Sequence, residues 1–169
     1  YAEVGATLST PPSDGYAIDA YGTSLGTGEA CFERAKNALA RFRNYPEPWT
    51  HVVTDGDRAP EEGLVFVAHI EHFGFHSINS CRIIRVVDED GPVRRWGFAF
   101  GTLLGHEEQG EERFLVSLDR ATYEVRYDVL AFSRPRGPLA RLGAPLARML
   151  QRKFHADTCA AMRRAANDS

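Results

Sequence analysis

Apolar residues change their spacing twice along the chain. From Glu29 to Arg43, Phe32, Ala35, Leu39 and Phe42 recur at helical intervals and predict a helix with one buried stripe, ended by Pro46 and Pro48. Between Trp49 and Pro135 the period falls to two. Turn clusters at Asp55-Gly56, Gly74 to Asn79, Asp90-Gly91-Pro92 and Gly105 to Gly110 divide that stretch into six predicted strands, near 49–54, 63–73, 78–88, 94–104, 111–119 and 122–133. Pro138 and Pro145 each suit a first helical turn. After them Leu146, Met149, Leu150, Phe154, Thr158, Ala161 and Met162 form the stripe of a long C-terminal helix. The segment before Glu29 has a β-prone piece from Ala2 to Leu8, then turn formers at Pro11, Pro12, Asp14, Gly15, Gly22, Gly26 and Gly28, and reads as one edge strand and a loop.

Connections this short favour an antiparallel meander, since parallel crossovers need about a dozen residues or more. A sheet with an apolar face must cover it, and the terminal helix carries a matching stripe. The predicted class is therefore α+β: a curved antiparallel sheet of about seven strands, with the long helix enclosing a cavity. This order of elements resembles the helix-grip fold of the START and polyketide-cyclase type, in which a ligand sits between sheet and helix.

At 169 residues the chain predicts a single domain over 1–169, which excludes a two-domain cofactor enzyme. With 43% hydrophobic and 25% charged residues, disordered and membrane-spanning classes fall away. Lys and Arg number 20 against 23 Asp and Glu, both signs spread along the chain, so no nucleic-acid or anionic-lipid partner is expected. Cys31, Cys81 and Cys159 lie far apart, without a C-x-x-C, which argues against a disulfide framework or structural zinc and for a reducing, cytoplasmic setting. No apolar run approaches the roughly 20 residues of a membrane span, and Tyr1 opens a polar stretch unlike a signal peptide.

Cys81-Arg82-Ile83-Ile84, Gly97-Phe98-Ala99-Phe100-Gly101-Thr102-Leu103-Leu104-Gly105-His106, Gly110-Glu111-Glu112-Arg113-Phe114 and Ala131-Phe132-Ser133-Arg134-Pro135 form four ordered motifs. They resemble C-R-V-V, G-F-A-Y-G-T-L-x-G-H, G-E-E-x-F and A-F-S-R-P of a domain-of-unknown-function family of bacteria and plants. Leu25 to Gly28 with Phe32, Arg34 and Ala35 is similar to that family's opening, and Arg141-Leu142-Gly143 with Gln151-Arg152 to its closing helix. The resemblance implies a fold more than an activity. Ser80 and Leu104 stand where the pattern has proline, and Phe100 where it has tyrosine, which suggests a pocket adapted to a more apolar ligand.

Several tempting signals are weak. Gly26-x-Gly28 opens a helix as a phosphate cradle would, but Cys31 occupies the third glycine's place and no apolar strand precedes it. His69, His72 and His76 suggest a metal, yet on one extended strand His69 and His72 face opposite ways and His72 and His76 lie about 13 Å apart, so no metal is assigned. There is no G-x-S-x-G elbow. Cys81 beside Arg82 is the only mild nucleophile candidate, and a buried, inert thiol is the plainer reading.

The informative region is Thr102 to Glu112. Trp96, Phe98 and Phe100 share a phase with Thr102, and Phe114, Val116 and Leu118 with Glu112, so both polar residues continue core-facing rows while Glu111 points the other way. A carboxyl at the end of an apolar row is desolvated and its pKa rises, which makes a glutamate a general acid or base. His106, in the intervening turn, sits at a cavity lip as a proton relay. The plainer alternative for His106, Glu107, Glu108, Glu111 and Glu112 is a solvated acidic hairpin tip. On the last strand Tyr123, Tyr127 and Ser133 share one phase, and Tyr127 could donate to an oxyanion. Arg134 and Arg82 could pair with Glu112 or hold an anionic substrate. Arg148, Arg152, Arg163 and Arg164 are expected to solubilise the helix's outer face.

Three functions follow. The first is a cofactor-independent acid/base enzyme of secondary metabolism acting on an apolar, oxygenated, polyketide-like small molecule by cyclisation, dehydration or isomerisation, spiroketal cyclase chemistry included. Its expected catalytic residues are Glu112, His106 and Tyr127, with Thr102, Arg134, Arg82, Ser133, Phe98, Phe100 and Trp96 binding substrate. The second is a lipid or metabolite carrier using the same cavity, and the third an interaction domain with a filled core. A monomer or homodimer suits each.

Overall fold

The computed structural model describes residues 1–56, 58–72, 74–137 and 144–168. A short 3-10 turn (Ala6–Leu8) precedes β1 (Ala17–Thr27), α1 (Glu29–Leu39), β2 (Thr50–Thr54), β3 (Val65–His72), β4 (Phe75–Glu89), β5 (Val93–Thr102), β6 (Glu108–Asp119), β7 (Glu124–Pro135) and α2 (Ala144–Asn167). The predicted residues Pro138, Arg141, Leu142 and Gly143 lie outside the described residues.

All seven strands form one antiparallel sheet in the order β1-β7-β6-β5-β4-β3-β2. Six are a plain meander, as the short turns require, and β1 closes the far edge by pairing with β7. Ladder irregularities at Ser24/Gly26 in β1 and Ile83/Arg85 in β4 bend the sheet around one face. That inner face carries Phe66, Ile83, Phe98, Phe114, Val116 and Val129, all nearly fully buried. Phe32, Ala35 and Leu39 of α1 and Met162 and Ala166 of α2 complete the core. The two helices are tied by Arg34 Nε, which donates to the Ala166 carbonyl at 2.7 Å.

Four sequence expectations are corrected. The edge strand is Ala17–Thr27, not Ala2–Leu8: Gly5 is left-handed at φ 87°, and the amides of Gly5 and Thr7 are spent on Glu111 instead of a ladder. Gly26, read as a turn former, instead sits in the β1 irregularity at φ 137°, a conformation that suits glycine. α1 stops at Leu39, because Phe42 turns to φ 55° and the Arg43 amide bonds back to Ala38 O at 3.0 Å. Finally, Gly74 to Asn79 is mostly strand. The β3–β4 hairpin pairs His72 with Phe75, so the chain doubles back and His69 Nε2 meets His76 Nδ1 at 3.0 Å.

Candidate functional site

A cavity of about 310 Å³ opens between the inner face of the sheet and the first half of α2. Its apolar walls are Tyr45, Ala68, Ile70, Phe100, Leu150 and Phe154. Its polar end gathers Thr102, His106, Glu108, Glu112, Ser133 and His155. Leu146, which begins the apolar stripe of α2, also lines it and is 46% exposed. The stripe therefore covers core in its second half and cavity in its first.

The polar end is built by register. Glu108, Gly110 and Glu112 continue the inward row of Phe114 and Val116, and Ser133 and Ala131 lie opposite on β7. Thr102 Oγ1 accepts the Gly110 amide at 3.1 Å, bridging β5 to β6 just before the row turns polar. From α2, Arg148, Gln151 and His155 each reach a carboxylate on the sheet. Arg148 Nη2 donates to Asp19 Oδ1 at 2.8 Å, Gln151 Nε2 donates to Glu108 Oε2 at 2.6 Å, and His155 Nε2 stands 3.5 Å from Glu112 Oε1. The His155 ring lies 4.0 Å from that of Tyr21, and its Nδ1 has no hydrogen-bond partner.

Environment sorts these groups. Burial pushes the Glu108 carboxyl up, only partly opposed by its hydrogen bond to Ser133 and by the charge of Arg148. Burial also works to raise Asp19, but the Arg148 hydrogen bond and charge overcome it and hold that carboxyl below its ordinary value. His106 is brought down to about 4, first by burial and then by Arg136, so its imidazole is neutral near pH 7. Its Nδ1 accepts the Glu108 amide at 3.0 Å, which leaves Nε2–H as a donor. Burial raises the Cys81 thiol, and all three cysteines are free and buried. Among the described residues, no group of three His, Cys, Asp or Glu is placed to hold a metal ion.

Of the residues expected from sequence, Glu112, His106, Thr102, Ser133 and Phe100 line this cavity. The others do not. Tyr127 faces inward as its phase requires but is fully buried beyond the cavity's reach. Its hydroxyl meets Thr158 Oγ1 at 3.1 Å and Asn44 Nδ2 at 3.4 Å. Phe98 and Trp96 are core, the latter beneath Lys36 Nζ at 5.8 Å from its ring. Alternation gives the face, and here the helices fill the space above it. Arg82 and Arg134 are exposed, and Arg134 lies over the Tyr16 ring at 4.5 Å instead of meeting Glu112. Arg148 is corrected the other way, from a solubilising residue to the partner of buried Asp19. Glu111 points away from the inner face but is buried at 3% exposure, clasped by the amides of Gly5 at 2.7 Å and Thr7 at 2.8 Å.

Sequence reasoning missed Asp19, Arg148, Gln151, His155 and Tyr45. A signal existed for three of them. Arg148, Gln151, His155, Thr158 and Met162 recur at alternating intervals of three and four, a second seam beside the apolar stripe.

The fold has relatives. A Deinococcus radiodurans UPF0548 protein is 34% identical over 165 residues, which cover 90% of this chain and 80% of that one. The crystal structure of hypothetical protein jhp0584 from Helicobacter pylori superposes with TM-score 0.62 at 12% identity, covering 91% of this chain and 89% of the other. The Zhui aromatase/cyclase of Streptomyces sp. R1128 superposes with TM-score 0.55 at 11% identity, covering 89% and 93%. Those likenesses show a helix-grip fold. Residues 1–161 match the family described as Domain of unknown function DUF1990, so the chain belongs to that family.

Proposed function

We propose that the protein is a cofactor-independent acid/base enzyme acting on an apolar, oxygen-bearing, polyketide-like small molecule. The observation that carries this reading is a carboxylate, Glu112, placed at the polar end of an otherwise apolar cavity and facing the buried imidazole of His155 at 3.5 Å. Beside it Glu108 is held toward its protonated form by burial. One strand thus supplies a base and an acid, the pairing on which proton-transfer catalysis rests.

Cyclisation with loss of water, as in acetal or spiroketal closure, uses both. Glu112 takes the proton of the attacking hydroxyl as its oxygen bonds to the electrophilic carbon. Glu108 gives a proton to the oxygen leaving that carbon, which departs as water. Thr102, Ser133 and the Nε2–H of His106 orient the substrate's oxygens. Dehydration and isomerisation need the same two proton movements. With a pKa near 4, His106 serves as a neutral donor and not as a relay.

The test is incubation of the protein and its Glu112→Gln variant with cellular metabolites, compared by liquid chromatography and mass spectrometry. The expected result is a species that loses water, or shifts in retention at constant mass, with the parent protein alone. A metabolite retained unchanged by both proteins sinks the catalytic reading and leaves a carrier. That second reading is favoured by Leu146, an apolar side chain exposed at the cavity rim.

A further inference from the structure

The charge of the cavity is one-sided. Asp19, Glu107, Glu108, Glu111 and Glu112 line it, and among the described residues no lysine or arginine does. Two of these carboxylates are matched elsewhere, Asp19 by Arg148 and Glu111 by the amides of Gly5 and Thr7. Glu108 and Glu112 are not. Glu108 hydrogen-bonds only the neutral Gln151 and Ser133, and the one cation that acts on it, Arg148, is already paired with Asp19. Glu112 has His155 at 3.5 Å, longer than the roughly 2.7–2.9 Å of a good charge-assisted bond. His155 is itself 4% exposed, lines the same end, and keeps a nitrogen without a partner.

Half-buried carboxylates without a full counter-charge are costly, and a cation relieves them. The facing walls suit one. Tyr45, Phe100 and Phe154 present aromatic rings, whose faces attract cations while their bodies accept hydrocarbon.

We propose that the ligand of this cavity is an apolar amine, bound as its ammonium ion by the Glu112 carboxylate with Glu108 beside it, and with its hydrocarbon body against Tyr45, Phe100 and Phe154. The proposal rests on the reading of the cavity as the ligand site and narrows its substrate class. A fatty acid would bring a carboxylate against that of Glu112. A neutral alcohol can hydrogen-bond Thr102 or Ser133 but leaves the acidic end unmatched.

Three probes of nearly equal size decide it: phenylbutylamine, phenylbutanol and phenylbutyrate, titrated calorimetrically into the full chain at neutral pH. The amine is expected to bind at least about tenfold tighter than the alcohol, and phenylbutyrate not at all. Glu108→Gln with Glu112→Gln should bring amine and alcohol within about threefold of each other while the alcohol's own affinity holds. Ala131→Trp, which fills the cavity, should abolish binding of both. An alcohol that binds as tightly as the amine overturns the amine assignment and leaves the cavity reading standing. So does amine binding that ignores both glutamine substitutions. Failure of all three probes on folded protein removes the cavity reading itself, and the inference with it. The amine-to-alcohol ratio of the parent protein needs no variant, so a poorly folding mutant cannot shelter the idea.

Discussion

Replacing Arg148 with methionine keeps the hydrocarbon reach of the side chain and removes the guanidinium that faces Asp19. The Asp19 side chain is 9% exposed and would be left buried with no cation beside it. Breaking a fully buried pair costs about 3–5 kcal/mol, but the Arg148 side chain is 35% exposed, so water reaches that side of the pair. The expected loss is therefore about 2 kcal/mol at pH 7, or roughly 4–8 °C in Tm for a chain of this size. The pH dependence has a definite sign. In the parent protein the Asp19 pKa is lowered in the fold, so its contribution is present above the unfolded value near ~3.9 and lost as pH falls from there through the lower folded value. Without Arg148 burial dominates and the folded pKa rises, so the variant should regain ground on the parent as pH drops from 7 toward 5 and Asp19 takes up a proton. Urea denaturation followed by tryptophan fluorescence at both pH values, with Asp19→Asn closing a double-mutant cycle, measures each term. A loss below about 0.5 kcal/mol with additive single mutants would refute the reasoning and show that the Arg148–Asp19 pair does not hold α2 to the sheet.

Tyr127→Phe should cost about 1–2 kcal/mol in the same denaturation assay, because Asn44 Nδ2 and Thr158 lose a buried partner. Its ligand affinity should not change, and a tenfold loss of affinity would return Tyr127 to the site. The His106 pKa of about 4 lies below the unfolded value near ~6.5, so its contribution to stability is full above pH 6.5 and lost as pH falls toward 4. His106→Asn should flatten that slope, and a proton NMR titration should find the ring neutral at pH 5.5. Gly110→Ala should fold poorly or lose several kcal/mol, since its Cβ would lie 1.9 Å from the Phe132 carbonyl oxygen, a backbone atom unable to move aside. A thermal melt indistinguishable from the parent's would show that the strand can yield there.

The strands from Thr50 to Pro135 were legible because a two-residue period leaves little choice about which face is buried, and the turn formers marked most ends. The N-terminal segment was not. Ala2 to Leu8 has strand-like composition, but Glu111 on the outer face offers its amides a better acceptor, and that partner lies 104 residues away from Thr7. The histidines show the same limit on a smaller scale. His69 and His76 look far apart on one extended strand and become neighbours once the chain reverses at Gly74. The turn formers from Gly74 marked a break, but spacing along one strand does not say which histidines a hairpin brings together.

The site divides along similar lines. Glu112 was readable because the row that buries Phe114 and Val116 also carries it inward. Tyr127 sits in an equally correct row and is out of reach, because the row says which face a side chain takes and the helices decide whether space remains there. α2 makes that decision along its own length. Its seam of Arg148, Gln151 and His155 ends in Thr158 and Met162, so the same helical face is polar over the cavity and apolar over the core. Each polar member meets a sheet carboxylate, on β1 for Arg148 and on β6 for the other two. Neither helix nor sheet alone has a reason for those charges. Placed together they hold the cavity open at one end, since filling that space with hydrocarbon would strand the carboxylates that line it.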